Sequence, residues 1–291
     1  MPELPDLAVV AEAFHAALAG RSIDALAVPG PIAVRGTPAE LAALVGQRLV
    51  GVARIGKFLV LDLDRDRIVV NPMLSGRFQL AVPGTPRLAR TAVVLGLGGR
   101  ASGPPDAAGW TAGAAWLPPH PGPVELRFVD PTRMGKVYLL PAGRERAVPG
   151  FGPAERGPDA DDPALTLEVW RTRIRAHPGE LKNLLRNQAF VAGIGNAYSD
   201  EILHAARLLP FRRRSTLAPE EIDELYAAMR QVLALAIALL RERVPPAFER
   251  QVRDFLAVHG RGGLSCPRCG SRISQLTAGG MITSFCRTCQ R

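Results

Sequence analysis

The 291-residue sequence lacks several features whose absence narrows the reading. No charged-then-apolar leader opens it. Its richest apolar run, Val232 to Leu240, is far shorter than the ~20 residues a membrane-spanning helix needs. A cytoplasmic location without a membrane partner is therefore expected. Cysteine is absent until Cys266, so no disulfide framework staples the bulk of the chain. No fixed-period repeat is visible, which argues against a solenoid. Negative charge is in the minority, with 36 Lys+Arg against 27 Asp+Glu and a formal charge of +9. That balance suits a polyanionic partner, because each neutralised phosphate releases condensed counterions. Charge alone is equally compatible with a merely basic soluble protein. A hydrophobic fraction of 47% supports two cored domains and excludes extensive disorder.

The pattern along the chain changes once. Val9, Val10, Ala13, Phe14, Ala17 and Leu18 recur at helical spacing, predicting an amphipathic helix from Asp6 to Leu18 with Asp6 near its cap. Short aliphatic runs follow at Ile23–Val28, Leu49–Ala53, Phe58–Leu63, Ile68–Val70 and Phe78–Val82, interrupted by a helical stretch at Pro38–Val45. Residues 83–123 read as one strand, Thr91–Leu97, and a Gly/Ala/Pro-rich insertion whose Trp110 and Trp116 are expected to pack on the β domain. Strands resume at Val124–Val129 and Lys136–Leu140. Helices are predicted near Leu165–Ala176, Glu180–Gln188, Asn196–Ala206 and Pro219–Arg241. The expected organisation is a β-rich domain over 1–140, a Pro/Gly/Asp-rich linker over 141–163, a helical domain over 164–260 and a cysteine module over 261–291.

Two motifs carry chemistry. Cys266-x2-Cys269-x16-Cys286-x2-Cys289 places two thiolates on each of two knuckles, the spacing of a four-coordinate structural Zn2+ site. With all four positions filled by protein, such a metal is no catalyst. Lys182-Asn-Leu-Leu185 followed by Val191-Ala-Gly-Ile-Gly-Asn196 places two glycines before a new helix, where backbone N–H groups and the Asn196 amide can meet a phosphate. Taken alone, a Gly-rich turn between helices is usually just a turn.

Together with the opening Pro2-Glu3-Leu4-Pro5, these motifs stand in the same order as in the formamidopyrimidine-DNA glycosylase and endonuclease VIII family, which the chain resembles over nearly its whole length. The resemblance implies an α+β architecture: an N-terminal antiparallel β-sandwich with flanking helices, then a helix-two-turns-helix domain and a β-hairpin zinc finger. It also implies a monomeric, nucleoid-associated enzyme of base excision repair acting on double-stranded DNA. Loss of Met1 would free the Pro2 amine to attack the deoxyribose C1′ as a metal-free nucleophile. Such an α-amino group has a reference pKa of about 7.7–8. Glu3 would shuttle protons. By the same resemblance Lys57, Lys182, Asn196 and Arg133 match phosphate-contacting positions, and Asp6 stands where the family usually has glutamate.

At four further positions the chain departs from the family pattern. Leu74 takes the place of a methionine wedge, Thr132 and Met134 stand for arginine and phenylalanine, and Met281 stands where relatives carry an arginine in the finger. Leu74 and Met134 can still wedge into a base stack, whereas Thr132 cannot pair an orphaned base as arginine would. The stretch between Arg241 and Gln251 is too short for a lesion-capping loop. Two readings follow: a bifunctional glycosylase/AP lyase, for oxidised, ring-opened or bulky alkylated bases, and a non-catalytic zinc-finger protein that binds damaged DNA.

Overall fold

A computed structural model describes residues 1–99, 122–144 and 146–291. Trp110 and Trp116 lie outside the described residues. The chain forms two compact units: Met1–Val148 with Leu239–Val252, and Pro149–Ala238 with Arg253–Arg291. No helix among the described residues is long and apolar enough to cross a membrane.

The first unit is a β-sandwich. Its larger sheet takes β2 (Val34–Arg35), β9 (Lys136–Leu140), β5 (Arg67–Asn71), β4 (Phe58–Leu63) and β3 (Leu49–Ile55), in that order. The smaller takes β1 (Ile23–Ala27), β7 (Thr91–Leu97), β8 (Val124–Val129) and β6 (Arg77–Ala81). Pairing is antiparallel except between β2 and β9. Facing side chains such as Phe78, Leu95, Leu126 and Phe128 from one sheet and Leu61, Ile68 and Val137 from the other fill the interior.

Helix α1 (Leu4–Leu18) packs on β3 and β4. With both faces covered, β4 is buried almost throughout instead of alternating. The helix begins two residues before the expected Asp6, and it is buried nearly all round, not amphipathic. Pro5 sits in the first turn, where helix N–H groups have no intrahelical acceptor and the missing donor costs nothing. Phe14, fully buried, meets Phe78 at 5.9 Å and Phe248 at 4.8 Å, both edge-on. Val244 and Phe248, from the short stretch after Arg241, are thus core residues of this unit. Helix α2 (Pro38–Ala43) starts on a reciprocal capping box: Glu40 N–H donates to Thr37 Oγ1 at 3.2 Å, and Thr37 N–H to Glu40 Oε2 at 2.8 Å.

The second unit comprises α3 (Leu167–Ala176), α4 (Leu181–Arg186), α5 (Asn196–Ala205), most of α6 (Pro219–Arg243) and the hairpin β10 (Ser274–Ala278) and β11 (Met281–Phe285). Trp170 is its buried centre; the indole donates to Ile222 O at 3.1 Å and stacks obliquely on Phe190. From Pro149 onward the run expected as linker packs on these helices. Ala160 is fully buried and its N–H donates to Ala192 O. A Cβ on Gly157 would come within 2.4 Å of Phe190 O, so only glycine fits there. The β10–β11 turn uses Gly279 and Gly280, both at positive φ, the demand of a type I′ hairpin.

Candidate functional site

The N-terminal residues expected to carry chemistry do not fray. Pro2 and Glu3 are buried, and Glu3 is the N-cap of α1, so its carboxylate sits at the positive end of the helix. Asp6 is not the cap but the third residue of the helix, where Oδ2 accepts the Glu3 N–H at 2.8 Å. The side chain expected among the catalytic residues thereby fixes the backbone that presents Glu3. Pro2, Asp6, Gly76, Arg77, Phe248 and Gln251 line one small pocket. Arg77 Nη2 donates to Gln251 Oε1 at 2.8 Å and Nη1 to Gly76 O at 2.7 Å, which closes that rim.

Two loops of the same unit, β5 to β6 and β8 to β9, cross from one sheet to the other. In the first, the Met73 N–H donates to Asn71 Oδ1 and the Gly76 N–H to Pro72 O, leaving Leu74 exposed at the tip. A Cβ on Gly76 would lie 2.4 Å from Pro72 O. In the second, Asp130 is buried and its Oδ2 accepts the Gly135 N–H at 2.7 Å, while Arg133 takes a positive φ of 57°. Thr132, Arg133 and Met134 are exposed. The loops are tied together: Ser75 Oγ lies 2.6 Å from Thr132 Oγ1, donates to Asp130 Oδ1, and accepts the Thr132 N–H. Thr132 therefore acts as a brace that holds the Leu74 and Met134 loops side by side. Lys57 occupies the β3–β4 turn, with Gly56 at positive φ in the first central position, the type II′ arrangement.

In the second unit, α4 and α5 are joined by a connection clamped by one side chain. Gln188 Nε2 donates to Arg186 O and to Ile194 O, and its Oε1 accepts the Gly193 N–H. Lys182, expected at a phosphate, is only 5% exposed. Its ammonium pairs with Asp200 Oδ1 at 2.6 Å and donates to Ile282 O at 2.8 Å. Asn196 Nδ2 donates to the same carbonyl at 3.0 Å, so both residues converge on β11. Asp200, fully buried, also accepts the Ser284 N–H at 3.0 Å and faces His259 Nδ1 at 2.8 Å. Glu201 accepts three backbone N–H bonds, from Ala257, Val258 and His259. Burial nonetheless pushes its carboxyl upward, against those three donors.

The four cysteines come together without disulfides, all four sulfurs lying within 4.8 Å of one another. Cys266 to Cys289 spans 3.9 Å and Cys269 to Cys286 spans 3.5 Å. A tetrahedral site with metal–sulfur bonds of about 2.3 Å has sulfur–sulfur edges of about 3.8 Å, so the cluster fits a metal. Ser271 hydrogen bonds lower the pKa of the Cys269 thiol, whereas burial and the neighbouring cysteines raise that of Cys289, so four thiolates at one point need a cation among them. His204 Nε2 lies 3.4 Å from Cys266 Sγ, and burial lowers its pKa to about 4, keeping the ring neutral. Gln290 closes the far side, accepting the Cys286 N–H and donating to Leu208 O.

Sequence reasoning missed Arg77, Asp130, Asp200 and Glu201. The adjacent acids Asp200 and Glu201 did offer a signal: two consecutive carboxylates next to the apolar pair Ile202 and Leu203 are costly if that part of the helix is buried, unless they bind donors.

The N-terminal-domain model of formamidopyrimidine-DNA glycosylase matches residues 1–137, and its H2TH-domain model matches residues 156–244. The formamidopyrimidine-DNA glycosylase of Symbiobacterium thermophilum is 32% identical, covering 100% of this chain and 89% of its own. That of Thermus thermophilus is 31% identical, covering 100% and 98%. Among solved structures, the Thermus thermophilus MutM (Fpg) protein aligns with a TM-score of 0.77 at 29% identity, covering 99% of this chain and 98% of its own. The Lactococcus lactis Fpg (MutM) protein, in complex with DNA containing N7-benzyl-Fapy-dG, shares the fold with a TM-score of 0.82 at 24% identity over 100% of both chains. With two family domains matched in order and relatives aligned along its full length, this chain belongs to the formamidopyrimidine-DNA glycosylase family.

Proposed function

We propose that this protein is a bifunctional DNA glycosylase and AP lyase of base excision repair, acting as a monomer on double-stranded DNA. Once Met1 is removed, the Pro2 nitrogen forms a bond to C1′ of the damaged nucleotide as the bond from C1′ to the base breaks. The base leaves with a proton, and the sugar ring then opens: the C1′–O4′ bond breaks, O4′ takes up a proton, and the nitrogen lone pair forms the second C1′–N bond of a cationic Schiff base. Loss of a C2′ proton then expels the 3′ phosphate and cuts the strand. Glu3 carries protons in both stages, and Lys57 and Arg133 hold phosphates near the lesion. Chemistry at C1′ needs the nucleotide out of the stack, and Leu74 and Met134 are the apolar side chains that fill the gap.

The observation that carries this reading is the N-terminus itself. A structural bystander would fray, whereas Pro2 lines a pocket and Glu3 is the buried N-cap of a core helix. Cys266, Cys269, Cys286 and Cys289 would bind one structural Zn2+, which orders the finger and leaves no coordination position for substrate. Lys182 and Asn196 act on DNA through the backbone they hold at Ile282, more than through direct contact of their own side chains. The family name makes a ring-opened purine the first lesion to try. The test is borohydride trapping on duplexes carrying an abasic site, a ring-opened guanine, 8-oxoguanine or dihydrouracil. A covalent adduct that Pro2→Gly abolishes is expected. Binding to the abasic duplex without any adduct, in protein shown by mass spectrometry to start at Pro2, refutes the lyase and leaves the non-catalytic binder.

A further inference from the structure

Arg186 closes α4, and its guanidinium rests on the thioether of Met281, the first residue of β11. A thioether is a weak acceptor. The guanidinium carries five N–H donors in a rigid fork, and no carboxylate among the described residues meets it. This contrasts with Lys182, one turn earlier on the same helix, whose charge Asp200 cancels. It contrasts equally with Arg171 and Arg212 of the same unit, each paired with an acid. Met281 is 41% exposed and forms a shelf that holds the half-buried guanidinium in place. The neighbouring Ile282 carbonyl is where Lys182 and Asn196 are anchored. The cation therefore has no acid partner among the described residues and is positioned against the hairpin.

We propose that Arg186 is a DNA phosphate-binding residue, gripping one backbone phosphate with its fork while Met281 orients it. This rests on the function proposed above and names a contact the sequence motifs do not contain. The plain alternative is that Arg186 only complements the C-terminal dipole of α4. The two differ in salt dependence, because only a phosphate contact releases counterions.

The experiment measures binding of the metal-loaded full chain to a duplex carrying a non-cleavable abasic analogue, across a salt series. Each phosphate contact adds about 0.9 to the slope of log K against log salt. Arg186→Ala should flatten the slope by about that amount. Between roughly 50 and 200 mM salt, wild type should then lose about 3.5-fold more affinity than the variant. Arg186→Lys should keep the slope while binding more weakly, since it retains the charge without the fork. A slope in Arg186→Ala equal to that of wild type, with wild-type borohydride trapping intact, overturns the inference and leaves the lyase reading standing. A flattened slope with no wild-type trapping upholds the Arg186 contact and refutes the lyase. Metal content and unfolding midpoint, measured in parallel, show that the variants are folded.

Discussion

Replacing Asp200 with alanine tests whether the buried ion pair, as opposed to apolar packing, holds the finger on the helices. Asp200 is fully buried, and three donors converge on it: Lys182 Nζ at 2.6 Å, His259 Nδ1 at 2.8 Å and the Ser284 N–H at 3.0 Å. Removing the carboxylate leaves a buried ammonium whose remaining acceptor includes the Ile282 carbonyl, together with a stranded backbone donor. Breaking a buried pair from one side costs about 3–5 kcal/mol, mainly because the surviving charge has no counterpart. At about 1.4 kcal/mol per decade, local opening should become roughly 100- to 4000-fold more frequent. Removing both charges in Lys182→Met/Asp200→Leu should cost at least 2 kcal/mol less than the two single changes added together. Amide hydrogen exchange at Ser284, Val258 and His259 reads this local stability where a global unfolding curve of a two-unit chain would blur it. An Asp200→Ala penalty below about 1 kcal/mol, or a double variant that is simply additive, would refute the reasoning.

Further changes probe the remaining contacts. Gly76→Ala drives a Cβ to 2.4 Å from Pro72 O and 2.8 Å from the Phe128 ring, so circular dichroism should show a clear loss of stability and trapping of abasic DNA should fall. Phe14→Ala removes a fully buried ring packed edge-on against Phe78 and Phe248, and a loss of about 3–5 kcal/mol in urea unfolding is expected. Chelation should release one metal ion per chain, read by elemental analysis, and speed exchange of the β11 amides; a protein that never held metal would refute the site. Arg212 holds the Glu221 carboxyl below its ordinary value through a paired hydrogen bond. A depressed carboxylate contributes stability above its unfolded pKa of about 4.3 and loses it as pH falls through the lower folded value. Arg212→Met should accordingly destabilise by about 0.5–1 kcal/mol at pH 7 and hardly at all near pH 2, compared by urea midpoints.

The strands were legible because they alternate between turn residues, and α2 because Thr37 and Glu40 spell a capping box. The zinc-type spacing was legible because all four ligands lie in two short local motifs. What escaped was long-range. The burial of Lys182 depends on Asp200, 18 positions away, and on Ile282, 100 positions away, and neither distance leaves a local trace. Thr132 reads as a lost base contact in sequence, whereas in space it braces Ser75 across 57 positions. The full burial of α1 was hidden because Phe248, which covers Phe14, comes from the far end of the chain.

Glu201 grips the amides of Ala257, Val258 and His259, and Gln290 reaches back to Leu208. The cysteine hairpin is thus not a detachable cassette. A chimera cut at residue 261 would leave Glu201 its donors but separate the hairpin from the segment that seats it on α5, and would lose the Gln290 contact with Leu208. Specificity borrowed from a relative would have to be transplanted with both partners, the helix that holds and the finger that is held. The natural unit of exchange in this fold is larger than its motif.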